Sequence, residues 1–249
     1  MPAFRDLFAF AAGSYASYRP EYPDELFRWL AESTRRRECA WDCGTGSGQA
    51  ALALAGHFAQ VVATDASLTQ LVNARRTPGV HYLAMAAESA ALGADTVDLV
   101  TVAQALHWFD RERFFAEVDH VLRPGGALAV WSYALVSIDP AIDAVLHRLY
   151  QDVLGSYWPA ERRLVESGYA DITLPYSEEP PPPFVMRTTW SLAQLGGYLS
   201  TWSAVGRYRA MVGADPLADT MYALGSIWGT SETRPIRWPL SVRIARKRV

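Results

Sequence analysis

Ala40-Trp41-Asp42-Cys43-Gly44-Thr45-Gly46-Ser47-Gly48-Gln49 sets one acid and three alternating glycines between two apolar runs. Cys39 to Cys43 reads as a short buried strand, Gly44 to Gly48 as a tight turn, and the segment to Phe58 as the helix that follows. Glycine permits positive φ and close approach, so a nucleoside cofactor can meet bare backbone here. A dinucleotide-binding turn would read G-x-G-x-x-G; in this chain the third glycine falls one place early and Gln49 takes the sixth position, which weighs against hydride transfer.

Outward from that turn, strand and helix alternate: strands at 39–43, 61–65, 80–84, 97–103 and 127–133, with helices at 49–58, 67–76 and 110–122. Such alternation predicts a parallel α/β sheet. Tyr22-Pro23-Asp24-Glu25 opens a helix ahead of the first strand, with proline at its first position and acids in its first turn. Ser67 with Gln70 and Ser191 with Gln194 have capping-box spacing, and Asp110 is a candidate N-cap. Asp139-Pro140 starts a helix that Gly155 stops; a short helix over 160–167 ends at Gly168. Pro180 to Pro183 reads as a stiff spacer before a strand at 184–190, followed by a helix to about Val205, a last helix from Asp215-Pro216 and a strand at 236–245.

Asp65 ends the second strand 21 positions after Gly44, where a ribose-binding acid belongs. Its carboxylate can accept from both ribose hydroxyls; the bland reading is a helix cap at Ala66-Ser67. Ala87-Glu88 follows the third strand, where contacts to an adenine edge would fall, although Glu88 equally suits an exposed loop. His107 stands just beyond the fourth strand and is either a packed residue or a group that takes a proton from a phenol, enol or hydroxyl; a carboxylate acceptor would need no base. Trp108, Trp131, Trp158 and Trp202 are candidates for an apolar substrate pocket and equally for core.

Taken together, Asp42 to Gln49, Thr64-Asp65-Ala66-Ser67, Ala103-Gln104-Ala105-Leu106-His107-Trp108-Phe109 and Val121-Leu122-Arg123-Pro124-Gly125-Gly126 resemble the trans-aconitate methyltransferase-like group of class I S-adenosylmethionine (SAM)-dependent methyltransferases. Tyr15-Ala16-Ser17-Tyr18-Arg19-Pro20-Glu21-Tyr22-Pro23 resembles that group's Y-x-x-x-R-P-x-Y-P opening, and Trp190 to Val205 with Trp238-Pro239-Leu240 resembles its carboxyl-terminal part. The resemblance implies a Rossmann-like α/β fold: a seven-stranded, mostly parallel sheet with helices on both faces and an antiparallel last strand pair. It implies SAM as cofactor, held by Asp42, Gly44, Thr45, Gly46, Gly48, Asp65, Ala66, Ala87, Glu88, Gln104 and Ala105, with Tyr15 and Arg19 closing over it from the N-terminal cap. Substrate contacts would fall to His107, Trp108, Trp131 and Trp202, with His107 as the candidate catalytic group.

One domain over 1–249 is expected: a cap at 1–37, a SAM-binding core at 38–134, a substrate-side insertion at 135–183, and strands and helices at 184–249 that complete the sheet. An Asp/Asn-Pro-Pro-aromatic motif after the fourth strand, common in amino-methylating enzymes, is replaced by Ala103-Gln104-Ala105-Leu106, which favours oxygen or carbon acceptors. A formal charge of -3 gives no electrostatic case for nucleic acid or an anionic membrane, and the basic run Arg243 to Arg248 reads as a solvated strand end. Cys39 and Cys43 sit on one strand, where neither a disulfide nor a zinc site forms, and fit a reducing cytoplasm. No metal is expected. The leading expectation is methyl transfer to a small organic acid; alternatives are O- or C-methylation of a quinone-like or polyketide-like acceptor, and a SAM-binding protein without turnover.

Overall fold

A computed structural model of the chain describes residues 20–249. Its sheet is built from β1 (Cys39–Cys43), β2 (Gln60–Asp65), β3 (Val80–Ala84), β4 (Val97–Ala103) and β5 (Leu122–Ser132), with β6 (Ser177–Glu179), β7 (Phe184–Trp190) and the long β8 (Arg234–Arg246) completing it. The order is β3-β2-β1-β4-β5-β8-β6, with β7 also paired to β8. β1 to β5 are parallel, and β8 runs antiparallel to β5, β6 and β7. β6 and β7 occupy successive stretches of one edge of β8, so eight strands fill seven positions.

That interruption is the proline run. Glu179 pairs with Ile244 and Phe184 with Leu240, so Pro180 to Pro183, which have no N–H to donate, bulge past three residues of β8. β8 itself contains Pro235 and Pro239. Arg237, of the same parity, sends its N–H to the Ser137 carbonyl on the side away from β7, so neither proline removes a donor that β7 needs.

Strand alternation sorts the side chains between two faces. Ala127, Ala129 and Trp131 of β5 pack with Leu26, Phe27 and Leu30 of helix α1 (Asp24–Glu32) and with Ala50, Ala51 and Leu54 of α2 (Gln49–Leu54). Leu128 and Val130 face the other way, onto Trp41, Phe114 and Val118, the last two from α4 (Arg111–Val121). A third cluster lies beyond the sheet proper. There α5 (Pro140–Arg148), α7 (Leu192–Ser200), α8 (Ser203–Val212) and α9 (Ala218–Trp228) pack on β7 and the first half of β8 around Trp190, Tyr198, Trp202 and Trp238.

Most capping expectations hold. Ser191 and Gln194 form a full capping box, and the Asp139 carboxylate accepts from the N–H groups of Ala141 and Ile142. Asp110 caps α4 by accepting from Arg113 N–H at 3.4 Å, and Ser67 caps α3 (Leu68–Val72). The larger departures from expectation are these. The helix expected to reach Val205 breaks at Thr201-Trp202 and restarts as α8, β5 begins five residues early at Leu122, and α2 and α3 close sooner, at Leu54 and Val72. The helix from Pro140 continues as a π-helical turn over Leu149–Val153, and α6 (Arg162–Glu166) follows. The basic strand end is internal scaffolding: Arg243 binds Glu178 and Arg246 binds Glu179, while Lys247 reaches the carbonyl of Leu122 at 2.9 Å.

Candidate active site

Strand order reverses between β1 and β4, and in open α/β sheets such a reversal leaves a crevice at the carboxyl ends of the strands. The glycine turn borders that crevice on one side and the Gln104-Ala105 turn on the other. Gly44, Gly46 and Gly48 all have positive φ, +68°, +56° and +86°. Two of them are also sterically forced: a Cβ on Gly44 would lie 2.6 Å from the Ala105 Cβ, and one on Gly48 would lie 2.3 Å from the Tyr82 hydroxyl.

Two carboxylates shape the turn. Asp42 is buried at the end of β1 and accepts from the hydroxyls of Thr45 at 2.5 Å and Thr101 at 2.7 Å. Burial pushes its pKa up to about 6, against the pull of those two hydrogen bonds. Asp65, at the end of β2, accepts from the Gly46 N–H and from the Ser67 N–H, each at 2.8 Å. It thus ties the glycine turn to the neighbouring strand. Ala66 is exposed beside it, and Ala87 is buried after β3. Glu88 is half-buried and accepts from the Asp110 N–H at 2.9 Å, joining the loop after β3 to the start of α4.

At the end of β4, Gln104 adopts φ +54°, a left-handed conformation that is uncommon outside glycine. Its N–H donates to the Trp131 carbonyl and its side-chain amide to the Tyr133 carbonyl, both at 2.9 Å. The Oε1 atom is buried with no donor among the described residues. Buried acceptors are rarely left so, and an orphaned acceptor on a strained residue beside the glycine turn suits a polar ligand group.

His107 lines a small cavity past the ends of β4 and β5, together with Gln104, Tyr133, Trp158, Arg162 and Trp202. Trp108 is partly exposed at its edge. The Nδ1 atom of His107 lies 3.0 Å from the Tyr169 hydroxyl. That phenol is buried, and desolvation raises its pKa. If the hydroxyl donates to Nδ1, the proton of the neutral His107 ring sits on Nε2. Desolvation and the nearby Arg162 charge lower the His107 pKa to about 3, so the ring is neutral at physiological pH.

Trp131 does not join this group. It is fully buried in the core, edge-on to Tyr22 and Phe27 at ring separations of 5.5 and 6.2 Å, because its position on β5 points it to the α1 face. The expectation that it lines the substrate pocket is corrected accordingly. Tyr15 and Arg19 lie outside the described residues. Motif reading missed Tyr133, Tyr169 and Arg162, which lie in segments without a motif.

The methyltransferase domain family matches residues 41–130, from β1 to β5. Over 98% of its length the chain is 32% identical to a Dictyostelium discoideum protein designated a methyltransferase, and it covers 96% of that protein. The chain belongs to the class I SAM-dependent methyltransferases. A solved structure from Anaeromyxobacter dehalogenans, a type II methyltransferase by designation, superposes on this methyltransferase with a TM-score of 0.87 and 45% identity, covering 92% of this chain and 98% of that one. An uncharacterized Mycobacterium tuberculosis methyltransferase is 39% identical over 128 residues, about half of each chain. The methyltransferase uses SAM as its methyl donor. No helix among its described residues is long and apolar enough to cross a membrane.

Proposed function

We propose that the enzyme methylates an oxygen of a small organic acid, forming a methyl ester. The observation that carries this reading is the cavity past β4 and β5: among the described residues its lining holds one arginine, no carboxylate, and a histidine that stays neutral with its Nδ1 3.0 Å from the Tyr169 hydroxyl. A phenol or enol acceptor needs a base, and a ring whose pKa is lowered to about 3 is a poor one. A carboxylate is already ionised and needs none. His107 instead serves as a hydrogen-bond donor through Nε2–H.

On this reading the donor is held from three sides. Asp65 accepts from the ribose hydroxyls, with its orientation fixed by Gly46 and Ser67; an ionised carboxylate accepts at about four positions. The backbone from Gly44 to Gly48 admits close approach, with Thr45 pinned by Asp42, and Ala66, Ala87 and Glu88 border the adenine side. The Gln104 Oε1 atom accepts from the amino group at the methionine end, next to Ala105. SAM supplies an electrophilic methyl: a new bond forms to the acceptor oxygen as the carbon–sulfur pair returns to sulfur, leaving S-adenosylhomocysteine and, from a carboxylate, no proton. Residues 135–183 shape the acceptor side, and the free thiols of Cys39 and Cys43 suit a reducing cytoplasm.

The test is methyl transfer from labelled SAM to trans-aconitate and to phenolic and quinol acceptors side by side. Base-labile methyl incorporation into the acid supports the ester reading. Incorporation only into phenols or quinols replaces it with the natural-product alternative.

A further inference from the structure

The cavity contains a cation that the donor-site reading does not use. Arg162, at the start of α6, donates through Nε to the Tyr150 hydroxyl at 2.8 Å, and that hydroxyl donates to Glu166. The guanidinium carbon lies 5.5 Å from the Tyr150 ring centroid and 4.9 Å from that of Trp158. Arg123, Arg209, Arg234, Arg243 and Arg246 each have a carboxylate partner; among the described residues Arg162 has none within 4.0 Å. Glu166 accepts from the Tyr150 hydroxyl.

A half-buried guanidinium gripped on its Nε edge is a fork held in place, and a fork matches the two oxygens of a carboxylate. Trp158 and Trp202, with ring centroids 5.6 Å apart, supply apolar walls beside it. We propose that Arg162 is a specificity-determining residue that binds a carboxylate of the acceptor other than the oxygen that is methylated, with the acceptor's planar body against Trp158 and Trp202. A carboxylate held in a charge-assisted bidentate pair has its charge partly neutralised and is the weaker nucleophile, so the oxygen that attacks belongs to a second group of the acceptor. Tyr150 and Glu166 position the fork. This inference rests on the ester-forming reading and adds where the acceptor's second charge sits.

The test uses benzoate and benzamide, a planar acid and its uncharged amide, titrated into protein loaded with S-adenosylhomocysteine and followed by tryptophan fluorescence and calorimetry. Wild type is expected to bind benzoate at least about tenfold more tightly than benzamide, a preference of about 1.4 kcal/mol. Arg162→Gln should abolish the preference with unchanged affinity for S-adenosylhomocysteine. Arg162→Lys, which keeps the charge and the stem but loses the fork, should retain part of it and shows that the loss is not misfolding. Equal binding of the two probes by wild type, no benzoate binding at about 10 mM, or a preference that survives in Arg162→Gln would overturn the assignment. If S-adenosylhomocysteine itself fails to bind wild type, the donor-site reading fails, and benzoate titration of unloaded protein still decides the role of Arg162.

Discussion

Asp42 is a buried acid whose folded pKa is about 6 against an ordinary 3.8, so the folded protein holds its proton more tightly than the unfolded chain does. An acid raised in this way contributes most to stability when protonated: its contribution grows as pH falls through about 6 toward 3.8 and is least favourable above 6. A gap of about two pH units at about 1.4 kcal/mol each makes the ionised group cost about 3 kcal/mol. Asp42→Asn removes that titration while keeping the shape, with the amide exchanging hydrogen bonds with Thr45 and Thr101. Whatever constant offset the amide introduces drops out when the two proteins are compared across pH. Urea unfolding at about pH 4.5, 6 and 8 should show the variant gaining about 2 kcal/mol on wild type between the lowest and highest pH, or about 4 to 8 °C in thermal midpoint for a chain of this size. A difference between the two proteins that does not change with pH would refute the assignment of the raised pKa to Asp42.

Gly44→Ala should cost about 1 to 3 kcal/mol from its positive φ and from the 2.6 Å approach to Ala105; adding Ala105→Gly should recover the contact part but not the backbone part, and a neutral single variant in chemical unfolding counts against the cradle. Arg123→Ala leaves Asp98 buried with only its bonds from the Glu38 and Cys39 N–H groups, and should destabilise by about 2 to 4 kcal/mol without changing S-adenosylhomocysteine affinity in the folded fraction. A weakened affinity would make the Arg-Pro-Gly-Gly segment part of the site. His107, with its pKa lowered to about 3, should add no limb to the rate profile between about pH 5 and 9, and a limb near 6.5 that disappears in His107→Gln would show it acting as a base.

The core of the fold was legible because apolar runs of strand length alternate with capped helices, and because Gly44 and Asp65 sit where local geometry permits few substitutes. Asp139-Pro140 and Ser191 to Gln194 were read correctly for the same reason: a cap is a local interaction between residues two or three apart. The break at Thr201-Trp202 was not legible, since Trp202 there packs against Tyr150 and Trp158 from elsewhere in the chain. Trp131 failed similarly: strand parity decides which face it takes, and only the assembled sheet says which face is the core. Arg162 reaches the pocket, and Tyr169 reaches His107 behind it, by tertiary placement alone. Arg123, by contrast, belongs to a recognisable motif yet serves the far end of the sheet, where it holds Asp98 and Glu38.

Whether the turn after β1 and the acid after β2 hold the donor is tested most directly by calorimetric titration of S-adenosylhomocysteine into wild-type and Asp65→Asn protein. The wild type should bind, and the variant should bind about 1 to 3 kcal/mol more weakly, roughly 5- to 150-fold, with its fold retained. Equal affinity in the two proteins would contradict the placement of the ribose at Asp65.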